Sequence, residues 1–487
     1  MKLNQVLEGL SYEIIKGDVD IEISQLIYDS RKTEKNSIFV CLKGANFDGH
    51  SYIREVVAAG AKAVVVCEDV DTTDLDATFI KVLDTRYALA ILSANYFENP
   101  AKELVTIGIT GTKGKTTTTY MVREILESCD IKTGLIGTIE TIIGDEHIKA
   151  ANTTPESYII QKTFREMVEK GCKAVVMEVS SQGLMMHRCA GIMYDIGVFT
   201  NLEPDHIGPN EHSSFEEYTE CKAKLFKQCK VGIVNSDDKH FEDIIKEHTC
   251  TIEKYGFNDT ADYVAKNIEL INDKSYIGIS FKTDGLLKED VVLGTPGRFS
   301  VYNALCAIAV TRHFDIPFDK VKNALKTVKV KGRVEIVDTP YPFILMIDYA
   351  HNAMSLENIL TTLKEHKPKR LVCMFGCGGN RAKSRRYEMG EVSGKYADFT
   401  VITSDNPRFE KPEDIIADIV TGIEKTSGKY IKITDRREAI KYVIQNGKEG
   451  DVIVLAGKGH EDYQEIEGKK YPMDERVIIA EILEELK

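Results

Sequence analysis

The chain has 487 residues, which at roughly 100 to 200 residues per domain predicts three domains, each large enough to bury its own core. Its 43% hydrophobic and 29% charged residues are ordinary globular composition, and no apolar run approaches the roughly 18 residues of a membrane span, so no membrane partner is expected. A net charge of −13 argues against nucleic acid, because phosphate neutralisation needs a basic face; an anionic small molecule would have to be held by local lysines, arginines and helix N-termini.

The opening stretch, residues 1–20, reads as a short amphipathic helix without a basic start, apolar core or small-residue cleavage site, so the expected location is cytoplasmic. The eleven cysteines show no repeated spacing, which predicts reduced thiols and no structural zinc. Strands are predicted at Ile21–Tyr28, Ser37–Leu42 and Ala63–Cys67, with a helix between the last two, which makes a small α/β domain over residues 1–98. After Asn99-Pro100 the pattern restarts with the strand Leu104–Ile109, a glycine-rich turn and the helix Thr116–Cys129. The β-branched runs Ala174–Val179 and Ile196–Thr200 end in polar tips, as in a parallel sheet covered by helices, and the helix Ser300–Arg312 closes this domain over residues 99–334. A further strand-helix alternation begins at Phe343–Ile347. Its runs Leu371–Phe375, Phe399–Thr403 and Val452–Leu455 predict a doubly wound sheet over residues 335–487. The fold class is therefore α/β in three domains: a small N-terminal one, a central parallel-sheet domain like a P-loop ATPase, and a Rossmann-like C-terminal one.

The strongest local signal is Thr110-Gly111-Thr112-Lys113-Gly114-Lys115-Thr116-Thr117 between a strand and a helix. Glycines let backbone N–H groups turn towards phosphate oxygens, Lys115 can reach the β and γ phosphates, and the Thr116 hydroxyl can hold magnesium. Ile109 stands where the usual motif has its first glycine, so the spacing departs from the pattern while the mechanics survive. Such a loop serves hydrolases, kinases and ligases alike. Glu178, at a strand tip, is the candidate second magnesium ligand; His206, preceded by Asp205 at another tip, is a candidate ligand for a further metal.

Taken together, GTKGKTTT, MEVSS, FTNL followed by Asp205-His206, Asp348-Tyr349-Ala350-His351 and Gly457 to Asp462 (GKGHED) resemble, in order and along the whole chain, the Mur ligases. Within that family the likeness is to the branch adding the third residue to a UDP-N-acetylmuramoyl peptide. The resemblance implies ATP, Mg2+, and successive domains for UDP-sugar, ATP and amino acid. It implies catalysis by Lys115, Glu178, His206 and Lys222, the last carbamylated by carbon dioxide, with Thr116, Glu178, His206 and Lys222 around metal. Lys224 is the competing lysine. It further implies nucleotide contacts from Gly111, Thr112, Lys113, Gly114, Thr116, Thr117, Asn303 and Arg333. Ser30, Arg31, His50, Asn152, Thr153, Thr154, Ser180 and Arg188 would meet the UDP-sugar and its peptide. The implied partners are UDP-N-acetylmuramoyl-dipeptide and a diamino acid, with the protein acting as a monomer.

Specificity rests on Asp405-Asn406-Pro407-Arg408. A guanidinium fork pairs bidentately with a carboxylate, so Arg408 suits an amino acid carrying a second carboxylate, and the tetrapeptide resembles the family's signature for meso-diaminopimelate. By the same resemblance Arg386, Gly457 and Glu461 complete the pocket, Glu461 holding the distal ammonium; Arg381 and Arg385 are alternatives to Arg386, since Asn380 and Ala382 depart from the family's usual residues. L-lysine- and lanthionine-adding ligases, a folylpolyglutamate-synthetase-like ligase and a catalytically silent nucleotide-binding protein are the rivals. The first-domain Asp29-Ser30-Arg31 and Asp48-Gly49-His50 segments argue against the folate enzyme, and the joint presence of Lys115, Thr116, Glu178, His206 and Lys222 argues against silence.

Overall fold

A computed structural model describes the chain apart from residues 45–46, 209–210 and 274–275. The chain divides into two compact units, residues 1–262 with 306–316, and residues 263–305 with 317–487.

The first unit holds two sheets. The smaller runs Glu13–Lys16, Thr78–Lys81, Ala63–Val66, Ile38–Val40, Leu26–Ile27, parallel except for its first strand. The opening stretch is thus not one helix. Helix is confined to Leu3–Val6, and Glu13–Lys16 instead pairs antiparallel with Thr78–Lys81. Tertiary pairing at a sheet edge overrides the weak local helical pattern. Of the predicted strand Ile21–Tyr28 only Leu26–Ile27 is strand.

In the larger sheet Val105–Thr110 lies between Tyr194–Phe199 and Ala174–Glu178, all three parallel. Cys229–Asn235 and Thr251–Gly256 extend the parallel part on one side, and Thr133–Ile136 on the other. The chain leaves Val105–Thr110 for strands on both sides, so its carboxyl end is a switch point, where doubly wound sheets open a crevice for ligands. The strands are buried on both faces and read as runs such as Ala174-Val175-Val176-Met177, which is why they were predictable.

The second unit contains the antiparallel strands Tyr263–Asp273, Tyr276–Gly285 and Asp290–Leu293, and a six-stranded sheet. Its order is Glu335–Val337, Ile344–Asp348, Asp451–Ala456, Arg370–Phe375, Phe399–Ile402, Tyr430–Lys432, parallel but for the first strand. The last strand of this sheet in chain order, Asp451–Ala456, lies between Ile344–Asp348 and Arg370–Phe375, creating a second switch point. Among the described residues no helix is long and apolar enough to cross a membrane.

Candidate active site

The loop Gly111–Gly114 links Val105–Thr110 to the helix Lys115–Glu127. Gly111 has φ 144° and a Cβ added there would lie 1.9 Å from the Thr200 hydroxyl oxygen, so this position excludes every larger residue. The tip of the neighbouring strand clamps the loop. Thr112 N–H donates to the Asn201 carbonyl (2.8 Å) and Lys113 N–H to the Asn201 side-chain oxygen (2.9 Å). The Thr200 hydroxyl and the Asn201 amide both donate to the Lys113 carbonyl (2.7 and 3.0 Å). The FTN segment therefore fixes the loop's shape by hydrogen bonds from its own strand tip, the preorganisation an anion site needs. The Lys115 ammonium donates to the carbonyls of Gly111 (2.7 Å) and Thr112 (3.0 Å), and Thr117 is half-buried in the first turn of the helix.

Two fully buried charged side chains converge on this loop. The Glu178 carboxylate accepts from the Thr116 hydroxyl (3.0 Å), the Thr138 N–H (2.8 Å) and the Thr138 hydroxyl (3.0 Å). Lys222, on the helix Phe215–Ala223, donates to the Gly111 carbonyl (2.9 Å) and sits 4.5 Å from the centroid of the Tyr218 ring, one turn earlier on the same helix face. Burial, joined by the charge of Lys115, holds the Lys222 ammonium well below the usual lysine range. Lys224 is exposed, so of the two candidate lysines only Lys222 reaches the loop.

Tyr218 was not singled out from sequence, although its i, i+4 spacing to Lys222 is the signal that finds it. Its hydroxyl hydrogen-bonds the Thr112 hydroxyl (3.0 Å), and burial pushes the phenol up to about 12. His212 was also missed. It is fully buried, hydrogen-bonds the Ser181 hydroxyl (2.8 Å), and its ring lies 5.2 Å from that of Tyr218. The predicted ligand His206, by contrast, is half exposed at φ 55°, with Nδ1 3.2 Å from Glu211. No contact joins it to Thr116, Glu178 or Lys222; its ring is 6.4 Å from that of Tyr218.

The residues expected to meet the UDP-sugar form two further clusters. Thr153 hydrogen-bonds Thr138 (3.1 Å), and the Thr154 hydroxyl donates to the Glu178 carbonyl (2.9 Å) while accepting from Ser180 N–H (2.9 Å). Arg188 donates to the Thr154 carbonyl (2.9 Å), and Asn152 is exposed. Ser30 and Arg31 lie in a 3-10 turn capped by Asp29, whose carboxylate also holds the exposed Arg31 guanidinium (2.8 Å). His50 is buried by its neighbours: Nδ1 faces Asp48 (2.6 Å) and Nε2 accepts from Cys67 N–H (3.2 Å). As the ring is occupied at both nitrogens, it fastens the turn.

In the second unit the loops after Arg370–Phe375, Phe399–Ile402 and Asp451–Ala456 converge at the other switch point. Gly379 N–H donates to the Asn406 carbonyl (2.8 Å), and a Cβ on Gly379 would stand 1.9 Å from the Pro407 carbonyl. Lys458, fully buried and not singled out within GKGHED, ties the pocket together. Its ammonium donates to the Asn406 side-chain oxygen (2.6 Å), the Tyr463 carbonyl (2.6 Å) and Glu461 (3.2 Å), and lies 3.3 Å from Asp405. Asn406 in turn donates to Glu461 (2.9 Å). Arg408, at φ 52°, directs Nε to Glu465 (3.1 Å) and Nη1 to the Gly379 carbonyl (2.7 Å). Arg386, expected in the pocket, is 1% exposed, and its Nη2 and Nη1 donate to Glu410 (2.7 Å) and Asp418 (2.9 Å), which brace it beneath the loop while its Nε has no partner among the described residues. Arg385 is only half-buried. Gly457 takes φ 106° after its strand. Arg333 stacks over the Tyr349 ring (4.6 Å), and Asn303 is buried on the helix Arg298–Thr311.

A phosphate loop with buried carboxylate and lysine in one unit, and a cluster of charged strand-end residues in the other, fit a nucleotide-dependent ligase of modular α/β build. Residues 22–97, 109–311 and 332–459 match the Mur ligase family catalytic domain, the Mur ligase middle domain and the Mur ligase glutamate ligase domain respectively. The chain belongs to the Mur ligase family.

Among its relatives, the UDP-N-acetylmuramoyl-L-alanyl-D-glutamate–2,6-diaminopimelate ligase of Caldanaerobacter subterraneus subsp. tengcongensis is 47% identical, over 100% of this chain and 99% of the relative. One of the enzymes so named in Clostridium acetobutylicum is 43% identical over 100% of both. A solved structure of a ligase of that name superposes with TM-score 0.74 at 28% identity, covering 100% of this chain and 99% of the other.

Proposed function

We propose that this chain is an ATP-dependent ligase that joins meso-diaminopimelate to the D-glutamate carboxylate of UDP-N-acetylmuramoyl-L-alanyl-D-glutamate, a step of peptidoglycan precursor synthesis. The observation that carries the reading is Arg408, poised at a strand-end pocket with Glu461 and Asn406, in a chain that also holds a complete phosphate loop. The full-length likeness to ligases named for 2,6-diaminopimelate supports the same substrate.

The substrate carboxylate attacks the γ-phosphorus of ATP, breaking the bond to ADP and giving an acyl phosphate. The amine of the incoming amino acid then attacks the acyl carbon, and the tetrahedral intermediate collapses to an amide with loss of phosphate. Lys115 and the N–H groups at the start of Lys115–Glu127 stabilise charge gathering on the transferred group. Glu178 is a buried carboxylate whose hydrogen-bond partners are all neutral, next to a threonine hydroxyl, a hard-oxygen set that fits a magnesium ion. When bound, magnesium supplies neutralisation of phosphate charge; Thr116 and Glu178 would hold one ion, with His206 and a carbamylated Lys222 the candidates for a further one. Burial favours the neutral Lys222 amine, the form whose nitrogen adds to carbon dioxide, releasing a proton and leaving an anionic carbamate. Residues 1–98, 99–334 and 335–487 serve the UDP-sugar, ATP and the amino acid in turn.

The test is phosphate release from ATP with UDP-N-acetylmuramoyl-dipeptide across a panel of amino acids. Wild type should prefer meso-diaminopimelate to L-lysine, whose second positive end would face Arg408, and Arg408→Lys should erode that preference. A wild type preferring L-lysine overturns the assignment. meso-Lanthionine presents the same charged ends and belongs in the panel.

A further inference from the structure

Arg408 occupies a left-handed backbone conformation that is uncommon for a non-glycine residue and persists only where neighbours over-determine it. Here the neighbour is the strand Tyr463–Ile466. Arg408 N–H donates to the Glu465 carbonyl (3.0 Å), Glu467 N–H donates to the Arg408 carbonyl (2.7 Å), and Arg408 and Ile466 form a β-bridge. That strand is itself pinned to the pocket, since Glu465 N–H donates to the Asn406 side-chain oxygen (2.9 Å), the acceptor that also takes Lys458.

The side chains repeat the coupling. The Glu465 carboxylate accepts from Arg408 Nε at 3.1 Å, and the Gly379 carbonyl accepts from Nη1 at 2.7 Å. Two acceptors on two different segments, a strand and a loop, define the plane of the guanidinium. Of its five N–H donors, the two of Nη2 and one of Nη1 are then left; with Glu465 on the side that carries Nε, the end-on edge between Nη1 and Nη2 is the one that can still offer Nη2 to a carboxylate. Among the described residues Nη2 makes no hydrogen bond.

We propose that Glu465 is a positioning residue of the amino-acid pocket: by holding Nε it turns the end-on edge of Arg408 towards the distal carboxylate of the incoming amino acid. The inference rests on the reading of Arg408 given above. Glu465 touches no reacting atom, and its charge offsets that of Arg408, so the pocket takes a carboxylate by geometry more than by net attraction.

Glu465→Ala and Glu465→Gln, with Arg408→Ala alongside, are assayed by phosphate release with the other substrates saturating. Glu465→Ala should raise KM for meso-diaminopimelate on the order of tenfold, with kcat within about twofold and KM for ATP unchanged. Glu465→Gln, whose amide oxygen still accepts from Nε, should raise it less. The unchanged KM for ATP separates this outcome from a folding defect. If Arg408→Ala raises KM for meso-diaminopimelate and Glu465→Ala does not, the positioning role falls and the pocket assignment stands. A lower KM in Glu465→Ala would mean that Glu465 competes with the substrate, which also overturns the proposal. If Arg408→Ala leaves KM unchanged, both fall.

Discussion

Around the phosphate loop, Glu178 and Lys222 are buried with neutral hydrogen-bond partners, whereas around Asp405–Arg408 the charges already meet counter-charges within the protein. A buried ion without a partner costs several kcal/mol, so Glu178 is tolerable where a metal supplies the missing charge, and burial relieves Lys222 by favouring its neutral amine. The second arrangement spends its charges on shape. Lys458 neutralises Asp405 and Glu461, Arg386 is consumed by Glu410 and Asp418, and Arg408 keeps a single edge open. On the proposed function, one region is completed by its ligands and the other selects one.

The contrast can be broken experimentally. The largest effect is expected for Lys115→Ala, which removes the charge proposed to act on the transferred phosphoryl group: kcat/KM for ATP should fall on the order of a thousandfold, and near-normal turnover would remove the phosphate-loop assignment. Lys222→Ala should lose roughly a hundredfold or more, with part of the activity restored by short carboxylic acids that enter the vacated space as a surrogate anion. A silent substitution would discard the carbamate reading. At the other cluster the effect should fall on stability. Lys458→Met strips the cation from two carboxylates and should cost about 3 kcal/mol, seen as a lower Tm with KM for ATP little changed; an unaltered Tm would mean that the pocket does not depend on internal pairing.

Lys222 and Arg386 mark how far the residues alone could be read. On an amphipathic helix Lys222 looks like any solvated lysine. Only the packing of Phe215–Ala223 against the loop buries it and aims it at the Gly111 carbonyl. Arg386, placed by family likeness in the pocket, is turned inward because the helix Lys383–Tyr396 packs on Pro412–Ile423, which carries Asp418, and because the loop between brings Glu410. His206 shows the same limit. Its motif is legible, while its side chain follows a local loop and pairs with Glu211.

What the sequence by itself determined is what short-range chemistry controls. Buried parallel strands announce themselves as β-branched runs, the phosphate loop as glycines where the backbone needs φ above zero, and the family as motifs in order along one chain. The tertiary structure alone decided which charges are satisfied and by whom. Lys222 on the Gly111 carbonyl, Lys458 among three pocket residues and Glu465 on Arg408 join segments that switch-point topology, not sequence spacing, brings together. Hydrogen bonds of this kind depend on angstrom-scale placement of side chains from different strand ends, and no local pattern encodes that placement.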